Sequence, residues 1–113
     1  MPARDRKDLF PGVLEMMVLQ ILQHEPMHGY ALVQQIQRRS RDLLQIEEGS
    51  LYPALQRMLK DGRLRARWDI SASGRRVRIY EVTAAGARHL NQEIQNFEQL
   101  LAGIRLVLAP VKP

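Results

Sequence analysis

A stretch near the middle of the chain carries side chains that can read DNA bases. Gln56 and Arg57 lie opposite the apolar positions of a predicted helix. In the major groove, a glutamine can form paired hydrogen bonds with adenine, and an arginine with guanine. Ser50 and Tyr52, near the start of the same helix, can donate to phosphates, which the positive end of a helix also attracts. The remaining members of this polar face are Pro53 and Lys60. The pattern predicts a DNA-recognition helix, and an ordinary hydrophilic surface helix is the alternative.

Two further segments carry groups that bind anions. Arg75 and Arg76 follow Gly74 at the tip of a predicted hairpin, where long cationic side chains can enter a minor groove or grip the DNA backbone. His28 and Tyr30 begin another predicted helix, whose unpaired amide groups form a second anion site. For His28, capping that helix is an equally good role. All five residues join the candidate DNA-contact set.

The positive charge of the chain is concentrated beside these residues. The formal net charge is +5, and residues 57–80 contain eight Lys or Arg and only two Asp. Arg65 and Arg67, two positions apart on one predicted strand, share a face that could approach the same phosphates. A basic stretch of this kind predicts binding to a polyanion. Charge alone leaves open whether that polyanion is DNA, RNA or an acidic membrane.

No arrangement of residues in the sequence points to catalysis, a metal or a cofactor. Cysteine is absent, which removes thiolate metal sites, disulfides and cysteine nucleophiles. His24 and His28 are four apart, but Pro26 between them breaks the helical geometry that a metal-binding pair needs. Glu47 and Glu48 are adjacent rather than facing, which makes a poor acid–base pair. We therefore expect a protein that is not an enzyme and binds no metal or cofactor.

Length and composition predict a compact cytoplasmic domain. The chain has 113 residues, of which 45% are apolar and 26% charged; these values are ordinary for one globular domain. The charged opening of the sequence has no apolar segment typical of a secretory signal. Its apolar runs are much shorter than the ~20 residues that a membrane-spanning helix needs.

The first half of the chain is predicted to be helical. Apolar residues at spacings of three and four indicate helices over residues 11–23, 29–39 and 49–61. In the third helix, Ser50 as the N-cap would place Pro53 in the first turn, where its missing N–H needs no partner. A start near Glu47 would instead demand a bend at Pro53. Residues 43–46 are predicted to be a short extended piece.

The sequence then changes to the two-residue alternation of a hairpin. The strands are predicted over residues 64–70 and 76–82, with a turn at residues 71–74. On the first strand Trp68 alternates with aliphatic residues, which predicts a core position. On the second, Tyr80 and Val82 are our choice for the buried face.

A long helix is predicted over residues 84–108, with Thr83 as its N-cap. Seven residues of this helix follow a strict heptad repeat: Ala87, Leu90, Ile94, Phe97, Leu101, Ile104 and Leu108. Such a repeat keeps one seam facing a partner helix. The helix would be about 37 Å long, which favours dimerisation; the alternative is a helix folded back on its own core.

The predicted fold is mainly α with a small β-hairpin, arranged as a winged helix–turn–helix followed by a long C-terminal dimerisation helix. Residues 9–83 would form the DNA-binding domain and residues 84–108 the dimerisation helix.

Four segments resemble the PadR-like transcriptional regulators in order and spacing. These are residues 26–32 (PMHGYAL), residues 49–55 (GSLYPAL), the GRR at residues 74–76, and the TAAG at residues 83–86 that follows Tyr80. With residues 9–12 (LFPG) near the start, the chain resembles the short-tailed branch of the family, which has a single C-terminal helix. The similarity extends over about residues 9–108.

The resemblance implies a DNA-binding regulator, usually a repressor, that is dimeric through its last helix. It implies DNA contacts at Tyr30, on the recognition helix and at the wing. The implied recognition-helix and wing residues are Ser50, Tyr52, Pro53, Gln56, Arg57, Gly74, Arg75 and Arg76. Members of the family commonly respond to phenolic acids, drugs or other aromatic compounds near the dimer interface. This sequence differs in having Glu47-Glu48 where Ser-Pro often stands, and only one aromatic residue, Phe97, in its last helix.

The function expected from the sequence is therefore a sequence-specific DNA-binding regulator. It would act as a homodimer on an inverted repeat, as a repressor that a small aromatic or hydrophobic effector releases. One alternative is a winged-helix protein-interaction module whose basic surface meets an acidic protein. Another is a small enzyme or ligand carrier that uses the dimer groove. We expect no membrane partner.

Overall fold

Three helices form the body of the protein. The computed structural model describes residues 11–111, so Leu9 and Phe10, which the predicted domain includes, lie outside the described part. Helix α1 spans Pro11–His24, α2 spans Gly29–Arg39 and α3 spans Glu48–Lys60. The first ends one residue beyond its predicted end and the second has its predicted bounds. Their periodic apolar faces meet in one core, because burying them together removes apolar surface from water.

The predicted start of α3 is wrong by one residue, and its predicted N-cap by three. Glu47, not Ser50, is the N-cap, and its carbonyl accepts hydrogen bonds from Ser50 N at 3.0 Å and Leu51 N at 3.1 Å. Pro53 therefore lies inside the helix. Its missing N–H would have bonded to the carbonyl of Gly49. Since Gly49 is exposed, water can satisfy that carbonyl, and the helix tolerates the proline.

The segment between α2 and α3 is irregular. The extended piece predicted over residues 43–46 lies outside any helix or strand. Arg41 and Asp42 have positive φ angles of 52° and 64°, a region that most non-glycine residues avoid. Asp42 N donates to Gln37 O at 2.9 Å, and Gln37 Nε2 donates to Asp42 Oδ1 at 3.1 Å. These bonds hold the sharp turn at the end of α2.

Three antiparallel strands cover one side of the body. Strand β1 is Met27–His28, β2 is Leu64–Ile70 and β3 is Arg76–Val82, in the spatial order β1-β3-β2. The bounds of β2 and β3 are those predicted, and Tyr80 is buried as predicted. Strand β1 was not predicted, because two residues are too short to show alternation. We call β2, β3 and the turn between them the wing.

The core prediction for Trp68 is wrong. Leu64 and Tyr80 at the root of the wing are buried, whereas Trp68 is 58% exposed and Ile70 is 63% exposed. The apolar alternation continues along β2, but the outer half of the hairpin extends beyond the helices that would cover it.

Helix α4 spans Ala84–Leu108, as predicted. Thr83 is its N-cap, because Thr83 Oγ1 accepts from Gly86 N at 3.0 Å. The same hydroxyl donates to Gly62 O at 2.7 Å, and Thr83 N donates to Arg63 O at 3.1 Å. One residue thus joins the end of α3, the root of the wing and the start of α4.

The heptad seam of α4 has two parts. Leu90 is fully buried in the core of its own protomer, and Ile94 packs against that core. The prediction that Leu90 lies in the dimer interface is therefore wrong. A heptad repeat shows that a helix has an apolar face, but not whether the same protomer or a partner covers it. Beyond this point the helix leaves the body: Ile104 is exposed, and Leu108 is 75% exposed.

Candidate nucleic-acid interface

Helix α3 presents most of the predicted contact residues to solvent. Tyr52, Pro53, Arg57 and Lys60 are exposed. The opposite side of the helix is buried and consists of Leu51, Ala54, Leu55 and Met58. Ser50 is half-buried. The spacing in the sequence therefore correctly divided this helix into a core side and a polar side.

Gln56 is less available than the sequence suggests. The residue is half-buried, and its Nε2 atom is buried without a hydrogen-bond partner among the described residues. A buried amide nitrogen without a partner is energetically costly. The side chain would have to turn outward to read a base, and turning would remove that cost.

Arg57 forms an ion pair with α1. Its Nε donates to Glu15 Oε1 at 3.2 Å, and the side chain of Glu15 is only 17% exposed. This bond uses one of the five N–H donors of the guanidinium. The carboxylate of Glu15 therefore positions the Arg57 side chain against α1. The local sequence pattern did not reveal this contact.

The start of α2 lies next to α3. A Cβ on Gly29 would lie 3.8 Å from Leu55 and 3.9 Å from Leu51, so the two helices are in close contact there. His28 is the N-cap of α2: its Nδ1 accepts from Ala31 N at 3.3 Å. Of the two roles left open for His28, the structure shows the capping role. Tyr30 is exposed beside it.

The tip of the wing is a tight turn that presents arginines. Gly74 has a φ of +83°, a conformation that glycine adopts without steric cost. Gly74 N donates to Ser71 O at 2.9 Å, and Arg75 N donates to Ser71 Oγ at 3.2 Å. Arg75 and Arg76 are exposed. Within residues 11–111, no carboxylate forms an ion pair with either of them.

One face of the wing is nearly neutral. Arg65 Nε contacts Glu81 Oε1 at 3.1 Å, and Arg67 Nη1 contacts Asp69 Oδ2 at 3.1 Å. The N–H of Ile70 and the guanidinium of Arg67 lower the pKa of Asp69, so this carboxylate stays charged. Arg65 and Arg67 do share a face, as predicted, but each has a carboxylate partner. This face is thus less suited to bind phosphates than the sequence alone suggested.

The other face of the wing is cationic and aromatic. Trp68 pairs with Arg78 across the two strands, and Ile70 pairs with Arg76; directly opposite residues lie on the same face of a sheet. The guanidinium carbon of Arg76 lies 4.5 Å from the centre of the Trp68 ring, and that of Arg78 lies 5.8 Å from it. Neither Trp68 nor Arg78 is among the DNA contacts predicted from the sequence. Their shared position follows from the strand register, once both strands are known.

This face continues toward α3. Arg78 lies 6.0 Å from the centre of the Tyr80 ring. Burial raises the pKa of Tyr80, the charge of Arg78 opposes that rise, and Tyr52 of α3 adds to it. Leu64 and Tyr80, at the root of this face, are buried in the same core as Leu51 and Leu55 of α3, so the cationic face continues outward from the part of the sheet that packs on that helix.

An apolar groove of about 360 Å³ lies between α1, the end of α2 and α4. Its lining includes Met16, Met17, Arg39, Ile94 and Phe97. In the part of the chain that the structure describes, no three acidic, histidine or cysteine side chains come together as a metal site. No helix among residues 11–111 is long and apolar enough to cross a membrane.

The fold and this surface define a winged helix–turn–helix protein of the DNA-binding class. A family model, described as the transcriptional regulator PadR-like family, matches residues 18–92. The chain therefore belongs to the PadR-like family, and the resemblance found in the sequence is confirmed. Members of this family are DNA-binding transcription regulators rather than enzymes.

Solved structures from several bacteria have the same fold. The crystal structure of a PadR family transcriptional regulator from Eggerthella lenta is 32% identical, with a TM-score of 0.79, and the match covers 92% of this chain and 88% of that chain. The structure of a transcriptional regulator from Clostridium thermocellum has a TM-score of 0.80 at 23% identity, over 87% of this chain and 95% of that chain. An uncharacterised protein from Lysinibacillus sphaericus is 28% identical over 96 residues, which are 84% of this chain and 87% of that protein. The predicted fold class is thus confirmed.

Proposed function

We propose that this protein is a homodimeric repressor that binds an inverted-repeat operator and that a small effector releases. The observation that carries the proposal is the presence of two distinct surfaces on the same chain. One is the cation-rich face formed by α3 and the wing, and the other is the uncovered apolar half of α4. The first suits a polyanion and the second suits another copy of the same helix.

The apolar half of α4 supports the dimer. The last turns of the helix expose Leu106, Val107 and Leu108 at 78%, 84% and 75%. Exposed apolar patches of this kind mark interaction sites in soluble proteins. The proposed interface consists of Phe97, Leu101, Ile104 and Leu108, with Ala87 and Ile94 at its edge. Leu90 is left out because its own protomer buries it.

The spacing of α3 in such a dimer gives the operator its symmetry. Two recognition helices related by a two-fold axis contact half-sites about one helical turn, ~34 Å, apart on the duplex. The proposed contacts on each half-site are His28, Tyr30, Ser50, Tyr52, Pro53, Gln56, Arg57, Lys60, Gly74, Arg75 and Arg76. Gln56 and Arg57 would read bases in the major groove. Arg75 and Arg76 would enter a minor groove or bind the backbone, and the others would bind the backbone or shape the surface.

The groove beside α4 supports the effector. Its lining of methionine, isoleucine and phenylalanine suits a small aromatic or hydrophobic compound. Its position against α4 means that an occupant would alter the packing of the dimer helix. Repression would follow where the operator overlaps a promoter, since the bound dimer would exclude RNA polymerase.

Selection from a pool of random duplex DNA tests the core of this proposal. We expect an enriched motif with two-fold symmetry, and sedimentation at micromolar concentration should give the mass of two chains. An unsymmetrical motif or a single-chain mass would contradict the dimer. Retention on heparin with no enriched motif would instead favour the alternative, a module that binds an acidic protein. Transcription from a template carrying the selected motif, with and without the protein, tests repression.

A further inference from the structure

The wing carries an exposed aromatic residue that the core does not explain. Trp68 is 58% exposed and its neighbour Ile70 is 63% exposed, on a hairpin that extends away from the body. Large aromatic side chains at such positions are enriched in interfaces, because a partner recovers the free energy of burying them. Trp68 is also the only tryptophan of the chain.

An arginine is already stacked on this ring. The guanidinium carbon of Arg76 lies 4.5 Å from the ring centre, which is within the distance of a cation–π contact. The guanidinium thus lies over the indole ring, and its N–H groups remain able to donate. Arg78, at 5.8 Å, adds a second positive charge on the same face. Trp68 and Arg76 thus form an apolar surface with a cationic edge.

The two faces of the wing differ in charge. Arg76 and Arg78 have no carboxylate partner among residues 11–111, whereas Arg65 and Arg67 on the opposite face are each paired with one. The Trp68 face therefore attracts an anion more strongly than the opposite face does. The root of this face, at Leu64 and Tyr80, is buried in the same core as Leu51 and Leu55 of α3. A duplex that lies along α3 would meet the Trp68 face next.

We propose that Trp68 and Arg76 act together as one DNA-contacting unit at the minor groove that flanks each half-site. The indole covers a deoxyribose, and the stacked guanidinium donates to the acceptors at the edge of the groove. A narrow, A·T-rich minor groove concentrates negative potential, so the unit favours A·T-rich flanks. The inference rests on the proposed DNA-binding function and adds a specificity element outside the bases that α3 reads.

The single tryptophan makes the contact directly observable. The full-length protein is titrated with the selected duplex, carrying either A·T-rich or G·C-rich flanks, and quenching of its tryptophan fluorescence by acrylamide is measured. We expect quenching to fall by about twofold or more on binding, because the indole becomes covered, and affinity to be higher with A·T-rich flanks.

Variants on the two faces of the wing provide matched controls. Trp68→Ala should weaken binding to the A·T-flanked duplex by about 2- to 30-fold, because the apolar contact between the indole and the deoxyribose is lost. Trp68→Phe keeps an aromatic face and should retain most of the affinity. Arg76→Gln and Arg65→Gln remove the same charge from opposite faces, and only Arg76→Gln should abolish the preference for A·T-rich flanks. Melting temperatures of all variants check that they fold.

Three results would overturn the inference. The first is tight binding of the duplex with unchanged acrylamide quenching, which would leave the proposed function standing. The second is wild-type affinity and flank preference in Trp68→Ala. The third is low quenching without DNA that rises as the protein is diluted, which would show that a second copy of the chain covers Trp68. If the wild type binds no duplex at all, the proposed function fails together with this inference.

Discussion

Replacing Gly86 with alanine should destabilise the protein, because this residue lies where α4 approaches the root of the wing. Gly86 is buried in the first turn of α4. A Cβ there would overlap the carbonyl oxygen of Arg63 and lie 3.0 Å from Val82 Cγ1. The Arg63 carbonyl also accepts the hydrogen bond from Thr83 N. Relief of the overlap thus requires a backbone shift at the junction between α3, the wing and α4.

The size of the effect follows from two opposing terms. Overpacking of a tight site costs about 1–3 kcal/mol, and the involvement of backbone favours the upper half of that range. Alanine gains about 0.8–1 kcal/mol over glycine within a helix. The net loss is therefore about 1–2 kcal/mol. At roughly 4 °C per kcal/mol for a chain of this size, the melting temperature should fall by about 4–8 °C.

Gly103→Ala is the matched control. Gly103 lies on the same helix, is exposed, and has no atom within 4 Å of an added Cβ. The same substitution there should keep the gain in helix propensity and raise the melting temperature by up to about 4 °C. Both variants are melted at one protein concentration, because a dimer's melting temperature depends on it. A melting temperature of Gly86→Ala at or above that of the wild type would mean that α4 does not approach the Arg63 carbonyl this closely.

Further predictions concern DNA binding, dimerisation and pH. Arg57→Ala should relax the preference at one base pair per half-site by about 1–3 kcal/mol, measured on a set of operator variants; equal weakening on all of them would contradict a base-reading role. Arg75→Ala should weaken binding to every duplex and lower the slope of log affinity against log salt by about 1 per wing; a change in base preference alone would argue against a backbone contact. Ile104→Asp should convert the sedimenting species from two chains to one, and an unchanged mass would mean that α4 does not form the interface. Because burial raises the pKa of Tyr80, its neutral form stabilises the fold fully below the unfolded pKa of about 10, and this contribution is lost as pH rises through the folded value. Tyr80→Phe should therefore flatten the fall in melting temperature between pH 9 and 11, and an equally steep fall would exclude this cause.

Local periodicity predicts elements well when one face is buried along its whole length. The apolar spacing in α2 gave the correct bounds of that helix, and the β-branched and aromatic residues of β3 gave the correct bounds of that strand. Alternation along β2 was equally regular, yet Trp68 is exposed, because a pattern records which residues share a face and not how far the neighbouring helices reach. The heptad repeat failed at Leu90 for the same reason.

Contacts between residues far apart in the chain could not be predicted from local sequence patterns. The ion pair of Arg57 with Glu15 joins residues 42 positions apart, and the pairing of Arg65 with Glu81 joins residues 16 apart. Neither partner carries a local signal of the other. These contacts decide which cations of the basic stretch have carboxylate neighbours. The distribution of charge along the sequence therefore predicted a candidate interface, while the structure was needed to show that one face of the wing is nearly neutral.

The hydrogen bonds of Thr83 tie the start of α4 to the end of α3 and the root of the wing. Its hydroxyl joins Gly62 to Gly86, and its N–H donates to Arg63, so a rotation of α4 against α3 or the wing would have to break or strain these bonds. As long as they hold, a tilt of the far end of α4 would also tilt α3. In the proposed homodimer, an effector would therefore act by changing the angle at which the two α4 helices cross.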